Sequence, residues 1–102
     1  MEIYVYARES AQANQDALDR QIEKCVNYAS ERFGSEHDIY SFADLGDERS
    51  GFDLLMKRLG DADVVVAMSP DRFTRDQAEL KEIKDEIASH GTKLVFVSRK
   101  RG

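Results

Sequence analysis

The sequence predicts an α/β fold: an open, mainly parallel four-stranded sheet covered by helices on both faces. Four short apolar, β-branched or aromatic segments alternate with three segments of helical periodicity. The connections between successive strands are long enough for right-handed crossovers, which parallel neighbours require. A chain of 102 residues forms one domain around a single core. We expect the flavodoxin-like strand order 2-1-3-4.

Two strands are expected at the centre of this sheet. Residues 3–7 are rich in β-branched and aromatic side chains, and residues 64–68 form a continuous apolar run that is typical of a strand covered on both faces. Residues 39–43 contain two aromatic side chains and residues 94–97 are apolar, so these segments supply the remaining strands.

Three helices are expected between the strands. In the first, apolar residues recur at helical spacing over residues 18–33, and Gly34 follows as a stop signal. The second covers residues 52–59. The third is marked by apolar residues within 80–87 and ends near Gly91.

Candidate chemistry collects where two of these strands end. Arg8 and Ser10 are two residues apart at the end of the first strand, so their side chains can share one face with Tyr6. Arg72 and Arg75 follow the third strand, at a spacing that brings them together in a helical turn. Such sheets bind ligands in the crevice beyond the carboxyl ends of neighbouring strands. A hydroxyl beside converging guanidinium groups suits attack on a phosphate, because arginine stabilises the charge that develops.

Composition argues against several other classes of protein. The net charge of −5 argues against a domain that grips nucleic acid through overall charge, so any DNA contact must be local. Cys25 is the single cysteine, which excludes an intrachain disulfide and a cysteine-based zinc cluster and fits a reducing compartment. Apolar runs are shorter than the roughly 20 residues that a membrane span needs, and the N-terminus lacks the pattern of a secretion signal. We therefore expect a cytoplasmic protein with no membrane partner.

Four short motifs follow one another through almost the whole chain. Residues 6–10 read Tyr-Ala-Arg-Glu-Ser, and residues 17–21 read Ala-Leu-Asp-Arg-Gln. Asp44 precedes Arg-Ser-Gly-Phe-Asp-Leu-Leu at residues 49–55, and residues 71–75 read Asp-Arg-Phe-Thr-Arg. In this order they closely resemble motifs of the N-terminal catalytic domain of the serine recombinases, the family of resolvases, invertases and serine integrases. One such motif recurs by chance, whereas four in order are specific.

The resemblance implies site-specific DNA recombination by a serine nucleophile. Ser10 would attack a DNA phosphodiester and form a 5′-phosphoserine intermediate, and strand exchange and religation would follow. Arg8, Arg72 and Arg75 would hold the non-bridging phosphate oxygens and stabilise the transition state, with Arg49 assisting. Because bond energy is kept in the protein–DNA ester, no cofactor and no metal is expected.

The resemblance also implies supporting residues and a larger parent protein. Asp71 and Asp44 would orient arginines or relay a proton. Gln21 would brace the loop that holds the nucleophile, and Tyr6 would form the floor beneath it. We expect residues 1–102 to be a resolvase-like catalytic domain, a fragment without the dimerisation helix and the DNA-binding domain, and inactive or weakly active alone. The full-length parent would act on DNA as a homo-oligomer, a dimer or tetramer.

Simpler structural interpretations of the same residues stay open. Ser10 and Asp71 would each suit the N-cap of a following helix, and Asp44 would suit closure of a turn. Arg72 and Arg75 would then lie at a solvated helix start, where cations oppose the helix dipole. That conflict with a local rule favours a functional role for the two arginines.

Two other classes of function also stay open. One is a catalytically inactive recombinase-like or receiver-like interaction module. A receiver requires a pair of acids after the first strand, where this chain has the single Glu9 between Arg8 and Ser10. The other is a nucleotide or flavin binder, although residues 10–14 contain no glycine that would cradle a phosphate. The basic tail, residues 99–101, is either a solvated terminus or the start of a DNA-facing segment.

Overall fold

A computed structural model describes residues 1–98, so the basic tail lies outside the described residues. The strands are β1 (Glu2–Glu9), β2 (Asp38–Leu45), β3 (Val64–Ala67) and β4 (Lys93–Phe96). The helices are α1 (Gln15–Phe33), α2 (Ser50–Lys57) and α3 (Gln77–Ser89), with short 3₁₀ turns at Leu59–Asp61 and Pro70–Arg72. The α/β class predicted from the sequence is confirmed.

The four strands form one parallel sheet in the order β2-β1-β3-β4, as predicted. β1 and β3 are its central strands. β1 pairs with β2 over its full length, from Glu2 to Glu9, but with β3 only from Ile3 to Tyr6. The last residues of β1 therefore extend past the end of β3 and reach the loop that follows it.

Alternation within β1 supplies two cores, one on each face of the sheet. Ile3 and Val5 point to the α1 side, where they pack with Cys25 and Ala29 of that helix. Tyr4 and Tyr6 point to the opposite side, which α2 and α3 cover. Helices on both faces were predicted, and the two cores confirm them. Within residues 1–98, no helix is long and apolar enough to cross a membrane.

The helices begin earlier than their apolar periodicity suggests. α1 begins at Gln15 behind its N-cap Asn14, and α3 begins at Gln77 behind its N-cap Asp76. The first turn of each helix is mainly polar, so a pattern of apolar residues does not detect it. The predicted end of α1 is confirmed, because Gly34 caps the helix at a φ of 97°.

Candidate active site

A cleft of about 560 Å³ opens at the carboxyl ends of β1 and β3. Its lining comes from the end of β1 and from the loops that follow β1, β2 and β3: Arg8, Glu9, Ser10, Arg49, Asp71, Arg72, Phe73, Thr74 and Arg75. Except for Glu9, Phe73 and Thr74, these are the residues that the sequence predicts for a phosphate site. The other three residues predicted for the site, Tyr6, Gln21 and Asp44, are not part of the lining.

Ser10 is exposed and comes directly after the last residue of β1. Helix α1 begins five residues later, and the side chain of Asn14 accepts the Ala17 N–H group at 2.9 Å. The interpretation of Ser10 as the N-cap of that helix is therefore wrong. Its exposed hydroxyl lines the cleft instead.

Three arginines cross-link the end of β1, the loop after β2 and the loop after β3 through backbone carbonyl groups. Arg8 donates Nε–H and a terminal N–H to the Gly46 carbonyl, at 3.2 and 3.0 Å. Arg49 donates to the Phe73 carbonyl at 2.8 Å, and Arg72 donates to the Arg8 carbonyl at 2.9 Å. Each of these three segments is thus bonded to the other two. A guanidinium group has five N–H donors, so each arginine keeps donors for a ligand.

One of those donors is buried and unpaired within the described chain. Arg72 Nε has no hydrogen-bond partner among residues 1–98. The nearest carboxylate oxygen, on Asp71, lies 3.8 Å away, which is too long for a hydrogen bond. A buried charged donor without an acceptor costs free energy. An anionic oxygen bound in the cleft would supply that acceptor.

Asp71 is a carboxylate held among hydrogen-bond donors and cations. A hydrogen bond from the Ser69 hydroxyl, and then the charges of Arg72 and Arg75, hold the pKa of Asp71 below its ordinary value. The N-cap of α3 is Asp76, which accepts the first free N–H groups of the helix. The interpretation of Asp71 as that cap is wrong, and both arginines precede the helix rather than start it.

Gln21 in α1 holds the backbone of Arg8, two residues before Ser10. Its side-chain oxygen accepts the Arg8 N–H group at 3.1 Å, and its amide nitrogen donates to the Arg8 carbonyl at 3.1 Å. The same nitrogen donates to the Glu9 carboxylate at 2.9 Å. The buried side-chain amide of Gln21 therefore ties the end of β1 to helix α1.

Asp44 accepts three hydrogen bonds in a buried position. The donors are the Tyr6 hydroxyl at 2.6 Å and the N–H groups of Gly51 and Phe52 at 2.8 and 2.9 Å. Burial, and then the bond to Asp44, raise the pKa of Tyr6 well above its ordinary value, so its hydroxyl stays a donor. Asp44 anchors the start of α2, next to Arg49, so the interpretation of Asp44 as closing only a local turn is wrong. Within residues 1–98 its bonds go to these donors and not to an arginine.

Several contributors to the cleft were not predicted from the sequence. Gly46 and Phe73 act through carbonyl oxygens, which every residue type has, so their identity gives no signal. Glu9 and Thr74 lie inside the recognised motifs, at positions where the motifs leave the residue free. Their location between Arg8 and Ser10, or between Arg72 and Arg75, was the only available signal.

Residues 3–101 match the family described as Resolvase, N terminal domain. The chain belongs to this family, the serine recombinases that carry out site-specific DNA recombination, as the sequence resemblance predicted. No curated protein matches the sequence significantly.

Several solved structures are similar to this one. The C-terminal catalytic domain of ISC1926 TnpA, an IS607-like serine recombinase, is 25% identical with a TM-score of 0.83, over 98% of this chain and 72% of that one. A resolvase family site-specific recombinase from Streptococcus pneumoniae is 20% identical with a TM-score of 0.79, over 95% of this chain and 72% of that one. The N-terminal catalytic domain of TP901-1 integrase is 17% identical with a TM-score of 0.75, over 95% of this chain and 77% of that one. The last two similarities show the fold alone.

Proposed function

We propose that this domain cleaves and rejoins DNA in site-specific recombination, with Ser10 as the nucleophile. The observation that carries the proposal is the cleft, whose lining includes the exposed Ser10 together with Arg8, Arg49, Arg72 and Arg75. A phosphodiester is the group in DNA that suits a hydroxyl nucleophile surrounded by guanidinium donors.

Cleavage exchanges one phosphate ester for another. The Ser10 oxygen forms a bond to phosphorus while the bond from phosphorus to the 3′ oxygen breaks. The Ser10 hydroxyl gives up its proton, and the departing 3′ oxygen takes one up. The remaining strand is then joined to Ser10 through its 5′ phosphate. Attack by the 3′ hydroxyl of another strand reverses these changes and frees the serine, so the exchange requires no external energy source.

The arginines stabilise the charge that develops on the phosphate oxygens. Arg72 has a buried Nε donor without an acceptor among residues 1–98, and we assign it a direct contact with a non-bridging oxygen. We assign Arg8 and Arg75, which line the same cleft, to the remaining phosphate contacts, and Arg49 assists. Because the pKa of Asp71 is held below the ordinary value of a carboxyl group, proton uptake by this carboxylate is disfavoured. We therefore assign it to orienting Arg72 and Arg75 rather than to proton relay.

Three residues outside the lining support the site. Gln21 holds the backbone of Arg8, one residue before Glu9 and two before the nucleophile. The pair of Tyr6 and Asp44 fixes the start of α2 and, through it, the position of Arg49. The proposed partner is DNA, and exchange between two duplexes requires several copies of the domain, as in the dimers and tetramers of the family.

Covalent capture tests this function without knowledge of the DNA target. The chain is incubated with random-sequence duplexes that carry a nick, and complexes that survive denaturation are analysed by mass spectrometry. We expect the 5′ phosphate on Ser10, no capture by Ser10→Ala, and unchanged capture by the exposed-site control Ser35→Ala. Arg72→Ala should slow capture by about 10²- to 10³-fold. Capture that persists in Ser10→Ala would show that the nucleophile is another residue.

A further inference from the structure

Glu79 connects Arg49 to the loop that carries Arg72 and Arg75, and we propose that it is a positioning residue for the reaction. None of the sequence motifs includes Glu79, and it is not part of the lining of the cleft. The inference rests on the proposed function, because it concerns the arginines of the same cleft. Its effect on the reaction would be exerted through Arg49 and Thr74.

The Glu79 carboxylate makes contacts in two directions. One oxygen accepts a hydrogen bond from the Thr74 hydroxyl at 2.7 Å. The other lies 3.9 Å from a terminal nitrogen of Arg49. Thr74 lies between Arg72 and Arg75 in sequence, and both Thr74 and Arg49 line the cleft. A single side chain from the first turn of α3 thus joins the loop after β2 to the loop after β3.

A glutamate at this helical position usually has a different partner. Asp76 is the N-cap, so Glu79 is the third residue of α3. A glutamate there commonly closes a capping box by accepting the N–H group of the cap residue. In this protein the Thr74 hydroxyl accepts the Asp76 N–H group at 3.1 Å, and Glu79 contacts Thr74 and Arg49 instead. This departure from a local rule indicates a role outside the helix.

Arg49 has two other contacts, which leave part of its guanidinium group unrestrained. One terminal nitrogen donates to the Phe73 carbonyl at 2.8 Å, and the group lies 4.3 Å from the centre of the Phe52 ring. Glu79 contacts the second terminal nitrogen. A guanidinium group that is held at its face and at one terminal nitrogen, with a carboxylate charge facing the other, has less freedom to lose when it binds a phosphate, and that lowers the cost of binding.

Glu79→Gln tests the positioning role in the capture assay. Glutamine keeps an oxygen that can accept the Thr74 hydroxyl but removes the charge that faces Arg49. The pair is partly exposed, so we expect capture to slow by only about fivefold. Glu82→Gln makes the same charge change on an exposed position of the same helix and should leave the rate unchanged. In an Arg49→Ala background, Glu79→Gln should have no further effect. Equal rates for Glu79→Gln and Glu82→Gln, or independent effects of Glu79→Gln and Arg49→Ala, would overturn the proposal.

A second measurement separates this proposal from the proposed function. The Nε–H signal of Arg49 is followed by NMR in the free chain, where no DNA is needed. We expect Glu79→Gln to shift or broaden that signal and Glu82→Gln to leave it unchanged. If the wild-type chain captures no DNA, this domain is inactive on its own, while the NMR result still decides whether Glu79 positions Arg49. An unchanged Arg49 signal in Glu79→Gln would overturn the positioning role.

Discussion

Asp44 is a buried carboxylate that depends on its three donors, and Tyr6 supplies the only one from a side chain. The loss of a donor to a buried anion costs more than the loss of a neutral hydrogen bond, because the anion stays without full solvation. The Tyr6 ring also stacks on Phe73 at a centroid distance of 5.6 Å. Tyr6 therefore links two parts of the site: Asp44, which anchors the start of α2, and the loop after β3, which carries Arg72 and Arg75.

Tyr6→Phe keeps the ring and deletes the donor to Asp44. At neutral pH we expect the free energy of unfolding to fall by about 1.5–3 kcal/mol. The pKa of Tyr6 is raised above 10.0 in the folded state. Above pH 10.0 the folded protein therefore keeps a proton that the unfolded chain releases. This contribution to stability is complete below pH 10.0 and declines as the pH rises through the raised pKa of the folded state.

Urea unfolding on both sides of pH 10.0 measures both effects. Tyr6→Phe should be less stable at neutral pH and should lose less stability than the wild type when the pH is raised. Tyr40→Phe removes an exposed phenol and serves as the control. An equal cost for the two variants at neutral pH would contradict the role of the Tyr6 hydroxyl.

Among the secondary-structure elements, α2 lies unusually close to the sheet at its first turn. Asp44, at the end of β2, accepts the N–H groups of Gly51 and Phe52. A Cβ atom at Gly51 would lie 2.5 Å from the Ala43 carbonyl oxygen and 2.9 Å from the Asp44 carboxylate. Glycine at this position thus allows the helix to begin against the strand, and Arg49 obtains its position from that contact.

Gly51→Ala should therefore push α2 away from the end of β2. The closest obstacle is backbone, which cannot rotate aside, so we expect a loss of about 1–3 kcal/mol in the free energy of unfolding. Gly60→Ala is a matched control, because its Cβ atom would find its nearest neighbour, on the His90 ring, at 4.0 Å. That variant should stay within about 0.5 kcal/mol of the wild type in urea unfolding. Equal losses in the two variants would show that the approach of α2 is not tight.

For the molecule as a whole, the sequence predicted the features that side-chain patterns encode. Continuous apolar residues marked β3, β-branched and aromatic residues marked β1, and apolar residues at helical spacing marked the helices. The strand order was expected from analogy with flavodoxin-like sheets. The convergence of Ser10 with Arg72 also followed, because parallel strands end at one edge. The bonds that join the loops could not be predicted in the same way, since the acceptors at Gly46 and Phe73 are carbonyl groups.

The charge distribution over the whole molecule also constrains how it can hold DNA. The chain has a net charge of −5, while four arginines line a single cleft. Within residues 1–98, attraction to the phosphate backbone is therefore expected mainly from that cleft, against a surface that is acidic on average. Binding of DNA of arbitrary sequence should accordingly involve few phosphates and be weak.

The salt dependence of DNA binding measures the number of phosphates that are contacted. Each neutralised phosphate of a duplex contributes about −0.9 to the slope of log K against log salt, so the four arginines of the cleft should together contribute about −4 to that slope. Arg75→Gln should make the slope shallower by about one unit. Lys57→Gln removes a cation from an exposed position on α2, outside the lining of the cleft, and should leave the slope unchanged. Fluorescence anisotropy with a labelled duplex measures both, and equal changes in the two variants would place the DNA contact elsewhere on the surface.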